Sequence, residues 1–239
     1  MATASAQSSA LPKFIQLSEM LIREIAAGHL ADGARLPPER EMADELGVAV
    51  GTLRKALADV EAKGLLDRVQ GSGNYVRHRP AVNSVYAFFR LELLKGGGLP
   101  TAKVLSVDRL AKPMGFARLG GDPEGHRIRR LRSLDGVLVA LEEIWLDGAA
   151  RDRIAVSDLS DSLYHFYRHE LGVVIASVED RIGVDVVPDW APAAFHLRPG
   201  APVGYIERVS LTAAKNPAEF SRTWYDAKRA NYISRMGKG

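Results

Sequence analysis

The sequence predicts an α+β protein in two parts: an N-terminal helical segment closed by a β-hairpin, and a longer C-terminal segment built on a mainly antiparallel sheet. Three observations carry this. Apolar residues recur at helical spacing up to about Val60. Two short apolar runs around Gln70-Gly71-Ser72-Gly73 then read as a hairpin. Further on, β-rich runs dominate, and Asp135-Gly136 between two of them is a strong two-residue turn signal.

The bulk properties narrow the class. A chain of 239 residues suits one large domain or two modest ones. No apolar run reaches the ~18–20 residues of a membrane span, and MATASAQSSA lacks the build of a signal peptide, so a cytoplasmic protein without a membrane partner is expected. With no cysteines, disulfides and thiolate metal sites are excluded. Net charge is +3, yet residues 1–80 hold ten Lys/Arg and ten Asp/Glu. Overall charge therefore does not argue for nucleic acid. A neutral domain can still bind phosphates if its cations share one face.

Pro12 suits a helix start, and Phe14, Leu17, Leu21 and Ile25 make one stripe that ends at Gly28. A short helix is expected from Glu39 to about Leu46, opened by Pro37-Pro38 and favoured by its acidic first turn. A third is expected over Gly51–Lys63, with Leu53, Ala56, Leu57 and Val60 inward. The hairpin strands fall near Leu65–Val69 and Asn74–Val76. This order is that of a winged helix-turn-helix, whose third helix enters the major groove.

The stretch LPPEREMADELGV followed by TLRKALADVEAKGLLDRVQGSGNYV resembles the signature of GntR-family regulators, matched at Leu36, Pro37, Glu39, Arg40, Leu46, Gly47, Val48, Thr52, Arg54, Gly71 and Gly73. The resemblance implies that Arg40 and Arg54 contact DNA, by guanine or phosphate, and that Thr52 touches a phosphate or base edge. Gly71 would let the wing approach the minor groove without a Cβ. Arg35 and Lys55 are expected to neutralise phosphates, as is Arg68. Three departures stand out. Pro38 replaces the family's serine, Asn74 its wing threonine, and Ala49-Val50 its Ser-Arg pair. Loss of that arginine predicts an altered half-site, with Val50 against a thymine methyl.

The domains expected are a winged helix over 11–78, a linker over 79–82, and an effector-binding and dimerisation domain over 83–234. In the last, Val85–Lys95 reads as a helix ended by Gly96-Gly97-Gly98, and Ser160–Leu171 as another. Strands are expected at Lys103–Leu110, about Val173–Val187 and Val203–Thr212, with a last hairpin near Asn216-Pro217. A faint repeat sets Leu119, Ile128 and Arg130 against Leu197, Ile206 and Arg208, each set reading as helix, loop and strand. In their order and approximate spacing, Ile128-Arg129-Arg130-Leu131-Arg132, the Asp135-Gly136 turn, Ala140-Leu141-Glu142, Ser162-Leu163-Tyr164, and Glu219-Phe220-Ser221 followed by Tyr225 are matched; from about Val82 to Tyr232 the chain thereby resembles the UTRA sensing domain of the HutC subfamily, which shares its fold with chorismate lyase.

Arg130 and Arg132 stand two apart on a strand and so share a face. Two guanidiniums there call for an anion between them, either a phosphate or carboxylate ligand or Glu142 or Glu143 across the hairpin. With Arg130, Arg132 and Glu142, the resemblance implies effector roles for Ser162, Tyr164, Glu219 and Tyr225. His165 and His169 have chelating spacing but no acidic helper, so no metal or cofactor is expected. The function expected is a homodimeric regulator, in the repressor sense, that binds double-stranded operator DNA under control of a small anionic effector. The alternative is a chorismate-lyase-like enzyme fused to a DNA-binding module.

Overall fold

The computed structural model of the protein describes residues 11–78, 84–116 and 119–235. The chain divides into two compact units, Leu11–Leu99 with the segment from Tyr232 onward, and Pro100–Asn231. The expected linker, 79–82, lies outside the described residues.

In the first unit, α1 (Lys13–Ala27) follows Pro12 and stops at Gly28, whose φ of 82° is the left-handed cap conformation. Then come α2 (Glu39–Glu45) and α3 (Val50–Ala62). The strands β1 (Leu66–Val69) and β2 (Gly73–Val76) pair antiparallel as the wing. Leu21, Ile25, Leu53, Leu57, Val60 and Val76 make the core. Pro38 gives α2 no side-chain cap, and Glu39 and Glu41 supply the favourable charge in its first turn.

One expectation fails here, and α1 supplies the reason. The helix α1 buries Ser18, Glu19 and Arg23 as well as its apolar stripe. The segment Val85–Lys95 is not a helix: turns occupy 85–88 and a short strand, β3 (Leu91–Leu93), follows. Arg23 donates to the carbonyls of Leu91 and Gly98, at 2.6 Å each, and Glu19 accepts from Val85 N and Ser84 Oγ. Arg23 thus claims the Leu91 carbonyl, a group that a helix over this segment would have paired internally.

The second unit is a six-stranded antiparallel sheet of β4 (Pro100–Ala111), β5 (Glu124–Leu134), β6 (Val137–Asp147), β7 (Ser177–Val186), β8 (Pro202–Leu211) and β9 (Pro217–Tyr225). Its order is β4-β5-β6-β9-β8-β7. Helix α4 (Leu163–Glu170) lies before β7, and β10 (Ala230–Tyr232) comes last. Asp135 and Gly136 both have positive φ, 48° and 77°, as the two-residue turn requires. One face of the sheet carries Leu131, Leu141, Val203 and Trp224, packed with Phe195, Trp190 and Leu197 from the segment after β7. On the other face Tyr167 of α4 reaches Glu219.

The repeat seen in sequence corresponds to this order. The β4-β5-β6 and β7-β8-β9 meanders meet at β6-β9, which places Arg130 of β5 and Arg208 of β8 symmetrically about that seam. The helices expected in each set are absent among the described residues. A single 3-10 turn, Met114–Phe116, precedes Leu119, and turns and bends precede Leu197.

Candidate DNA-contact surface and effector site

The turn between α2 and α3 presents α3 with Arg54 and Lys55 exposed and Thr52 half-buried. Arg40 is exposed on α2 and Arg35 beside the wing. Among the described residues Arg35, Arg40 and Lys55 have no ion-pair partner, so their charges remain available to phosphate. Arg54 is aimed: its Nε lies 2.6 Å from Glu39 Oε2. The other oxygen of Glu39 takes Arg68 Nη2 at 2.8 Å, and Arg68 Nε donates to Asn74 Oδ1 at 3.1 Å. Those two guanidiniums hold the Glu39 carboxyl below its ordinary range, the bond from Arg54 most of all. A groove between wing and α2 is lined by Arg35, Pro37, Glu39, Arg68, Gly71 and Asn74. Gly71, at φ 73°, has open space where a Cβ would stand. Val50 is half-buried, packed against the core of the first unit. Asn74, which stands where the family has threonine, holds Arg68 in place.

In the second unit, Arg130, Arg132, Glu142 and Glu219 are all under a tenth exposed. Glu142 fills the space between the arginines. Arg130 Nε donates to Glu142 Oε2 at 2.5 Å, and Arg132 gives Nε to Oε1 at 3.2 Å and Nη2 to Oε2 at 3.1 Å. Both guanidiniums also reach the carbonyl of Asp161, at 3.4 and 3.0 Å. Burial alone would raise the Glu142 pKa, but the two arginines outweigh it and bring it to about 2. Burial and then the adjacent Arg132 push Arg130 down. Glu143 faces the other way, with Arg129 at 2.8 Å.

Glu219 closes a second cluster. It accepts from Tyr167 at 2.7 Å and Ser210 at 3.1 Å, and Tyr164 reaches Ser210 at 2.7 Å and Glu219 at 3.4 Å. Burial raises the Glu219 pKa. Arg208 beside it is held by Asp180 through bonds of 2.6 and 2.7 Å. The register orders these groups in rows across one face: Arg132, Ala140, Tyr225 and Gly204; then Arg130, Glu142, Thr223 and Ile206; then Ser221 with Arg208 and Asp180; then Glu219 with Ser210. The structure therefore brings Arg130, Arg132, Glu142, Tyr164 and Glu219 together. Tyr225 lies apart, its ring over Gly204, where a Cβ would come within 2.2 Å. Ser162 is the N-cap of α4, accepting from His165 N at 3.3 Å. Tyr167, Asp161 and Arg208 were not picked out as site residues. The repeat marked Arg208 as the counterpart of Arg130, and that signal could have found it.

A winged helix with free cations, joined to a domain holding a buried charged cluster, defines a DNA-binding regulator with a ligand-binding domain. Known proteins agree. Residues 15–76 match the bacterial regulatory proteins of the gntR family, and residues 95–231 match the UTRA domain. The HTH-type transcriptional regulator SmoD of Agrobacterium fabrum is 54% identical over 95% of this chain and 97% of its own. The HTH-type transcriptional repressor NagR of Bacillus subtilis is 24% identical over 97% and 98%. In fold, the crystal structure of the possible regulator YydK from Bacillus subtilis aligns at a TM-score of 0.54 and 21% identity, covering 95% of this chain and all of that one. The chain belongs to the GntR family of transcriptional regulators and carries a UTRA domain; it is a regulator and not an enzyme. No helix among the described residues is long and apolar enough to cross a membrane.

Proposed function

We propose that this regulator is a cytoplasmic homodimeric repressor whose grip on its operator is set by a small anionic metabolite bound on the sheet face around Arg130 and Arg132. Its working parts are a winged helix over 11–78, a linker over 79–82 and a sensing domain over 83–234. Arg35, Arg40, Thr52, Arg54, Lys55 and Gly71 contact DNA, with Val50 at the edge of the major-groove surface. Arg130, Arg132, Glu142, Ser162, Tyr164, Glu219 and Tyr225 serve the effector.

The observation that carries this reading is the buried cluster itself. Taking an ion pair out of water costs several kcal/mol per ion, and an apolar core of the same shape is often about as stable or more so. Packing alone thus gives no reason to keep three arginines on the inner face of one sheet. Glu142 occupies the place an effector carboxylate or phosphate would take. An incoming anion competes with Glu142 for the two guanidinium forks, which match its geometry, while Tyr164 and Glu219 face the remainder of the ligand. The difference in affinity between two dimer geometries then sets the response. The naming of NagR as a repressor supports the direction of control.

A thermal-shift screen of small carboxylates and phosphates on the full chain tests the sensing half, since an effector stabilises by mass action. A compound that raises Tm and releases operator DNA is expected to do neither in Arg130→Ala. Operator binding indifferent to every such compound, and unchanged in Arg130→Ala, sinks the effector reading.

A further inference from the structure

The end of α1 clasps a turn of three consecutive glycines. Gly96, Gly97 and Gly98 all have positive φ, at 90°, 61° and 95°. They precede Leu99, where this stretch of the first unit ends, and β4 begins at Pro100. A run of glycines has the most conformational freedom a chain can have, so its shape depends on what holds it. Side chains of the same unit do so. Arg23 Nε donates to the carbonyl of Gly98 at 2.6 Å. Glu92 Oε2 accepts from Gly97 N at 3.3 Å, and Arg235 pairs with Glu92 at 2.5 Å. His29, the residue after the α1 cap, lies against Gly96, where a Cβ would come within 2.8 Å of the ring Nε2.

His29 faces two acceptors. Its Nδ1 lies 2.7 Å from Glu24 Oε2, and its Nε2 lies 2.9 Å from the carbonyl of Lys95. A neutral imidazole has one N–H and one lone pair, so either tautomer turns a lone pair toward an oxygen. Only the imidazolium donates to both. The charged groups around the ring favour that form. Glu24 on α1 and Glu92 on β3 are acidic, Arg23 and Arg235 are engaged as above, and Lys95, itself exposed, presents its carbonyl. The hydrogen bond with Glu24, and then that carboxylate's charge, raise the His29 pKa above its ordinary value.

We propose that His29 is a proton-sensitive clasp between α1 and the three-glycine turn, holding the turn at Lys95 as imidazolium and releasing it on losing the proton, which gives the regulator a pH input. The sign follows from the contacts. Below the folded pKa both ring nitrogens donate and the turn is held. Above it, one N–H remains, and a lone pair opposes either Glu24 or the Lys95 carbonyl. Glu24, being charged, keeps the better bond, so the Lys95 contact is the one lost. A turn held in advance has less freedom to lose when the head is fixed on DNA. Operator binding is therefore tighter on the acid side.

Measurements on the full chain test this. In NMR the His29 ring, assigned by its loss in His29→Gln, should titrate above free histidine. Exchange of the amides of residues 96–98, corrected for its intrinsic pH dependence, should speed up about twofold to fivefold as the ring titrates, the scale of one exposed ion pair. His29→Gln, at an exposed position, should remove that step. Glu24→Gln should move the titration and the exchange step together to lower pH. An operator selected from random duplexes, at fixed salt, should bind more tightly at about pH 6 than at about pH 8, and His29→Gln should reduce the difference. A ring that titrates at or below free histidine, or exchange indifferent to its titration, overturns the clasp. Operator affinities with the same pH profile in the unaltered chain and in His29→Gln overturn the pH input.

Discussion

Glu39 meets Arg54 across the turn between α2 and α3, 2.6 Å from carboxylate to guanidinium. The same carboxylate holds Arg68 on the first strand of the wing, one residue pair from its tip. One acidic residue thus sets the direction of a cation on α3 and of another on the wing itself. On the DNA-contact surface proposed above, a negative charge opposes binding in general, which leaves orientation as the role expected of Glu39.

Glu39→Gln is accordingly expected to lower discrimination more than affinity. Against an operator selected from random duplexes, the ratio of specific to non-specific binding should fall about fivefold, the scale of one partly exposed ion pair. Non-specific binding should not weaken. Arg54→Ala, by contrast, should also reduce the slope of log K against log salt by about one. An unchanged specificity ratio in Glu39→Gln would remove the orienting role.

Glu142→Ala leaves Arg130 and Arg132 buried together without their anion. The expected loss is about 3–5 kcal/mol in urea unfolding. A triple change of Arg130, Arg132 and Glu142 to apolar residues should recover most of it and abolish any effector response. A loss below about 1 kcal/mol in Glu142→Ala would show that the pair is hydrated.

Acid should act through the same residue. The Glu142 carboxyl is held near 2, against 4.5 for the unperturbed group. A depressed pKa contributes stability that is complete above the unfolded value and is lost as pH falls through the folded one. Stability should decline from about pH 4.5 towards pH 2, with a shallower decline in Glu142→Gln. Identical acid titrations in the two proteins would count against this.

Glu219 has the opposite sign. Burial raises its pKa, so the folded protein binds this proton more tightly than the unfolded chain, and stability falls as pH rises past the ordinary carboxylate range. Glu219→Gln should be as stable as the unaltered chain or more so at neutral pH, whereas Glu219→Ala orphans the hydroxyls of Tyr167 and Ser210 and should cost about 1–3 kcal/mol. A large loss in Glu219→Gln at neutral pH would show that the ionised form is the native one.

Gly204→Ala would drive a Cβ to within 2.2 Å of the Tyr225 ring. The overpacking should cost about 1–3 kcal/mol and change the near-ultraviolet dichroism. Tyr225→Ala in the same chain should relieve it. Additive losses in the double variant would place the strain elsewhere.

The helices and wing of the N-terminal unit were legible because local rules govern them. A period-3.6 apolar stripe, Pro12 at a start, Gly28 at a stop and glycines at the wing tip each act within a few residues. Asp135-Gly136 belongs to the same class, since its turn is a property of two residues. Over Val85–Lys95 the apolar residues allow a helix, and what competes with one is Arg23, far away in sequence, which claims the carbonyl of Leu91.

The sensing face shows the division most sharply. By themselves the residues placed Arg130 and Arg132 on one side of a strand and required an anion, but left Glu142 and Glu143 as equal candidates beside a ligand. With unbroken strands the tight turn would have set Leu141 opposite Arg130 and Glu142 opposite Arg129. One irregularity in the ladder, between Arg132 and Ser133, shifts β6 by a residue. Since side chains alternate with period two, that shift turns Glu142 to Arg130 and sends Glu143 to Arg129. Residue types determined that this face would carry charge. Only the register, set by the whole sheet, decided which carboxylate answers it.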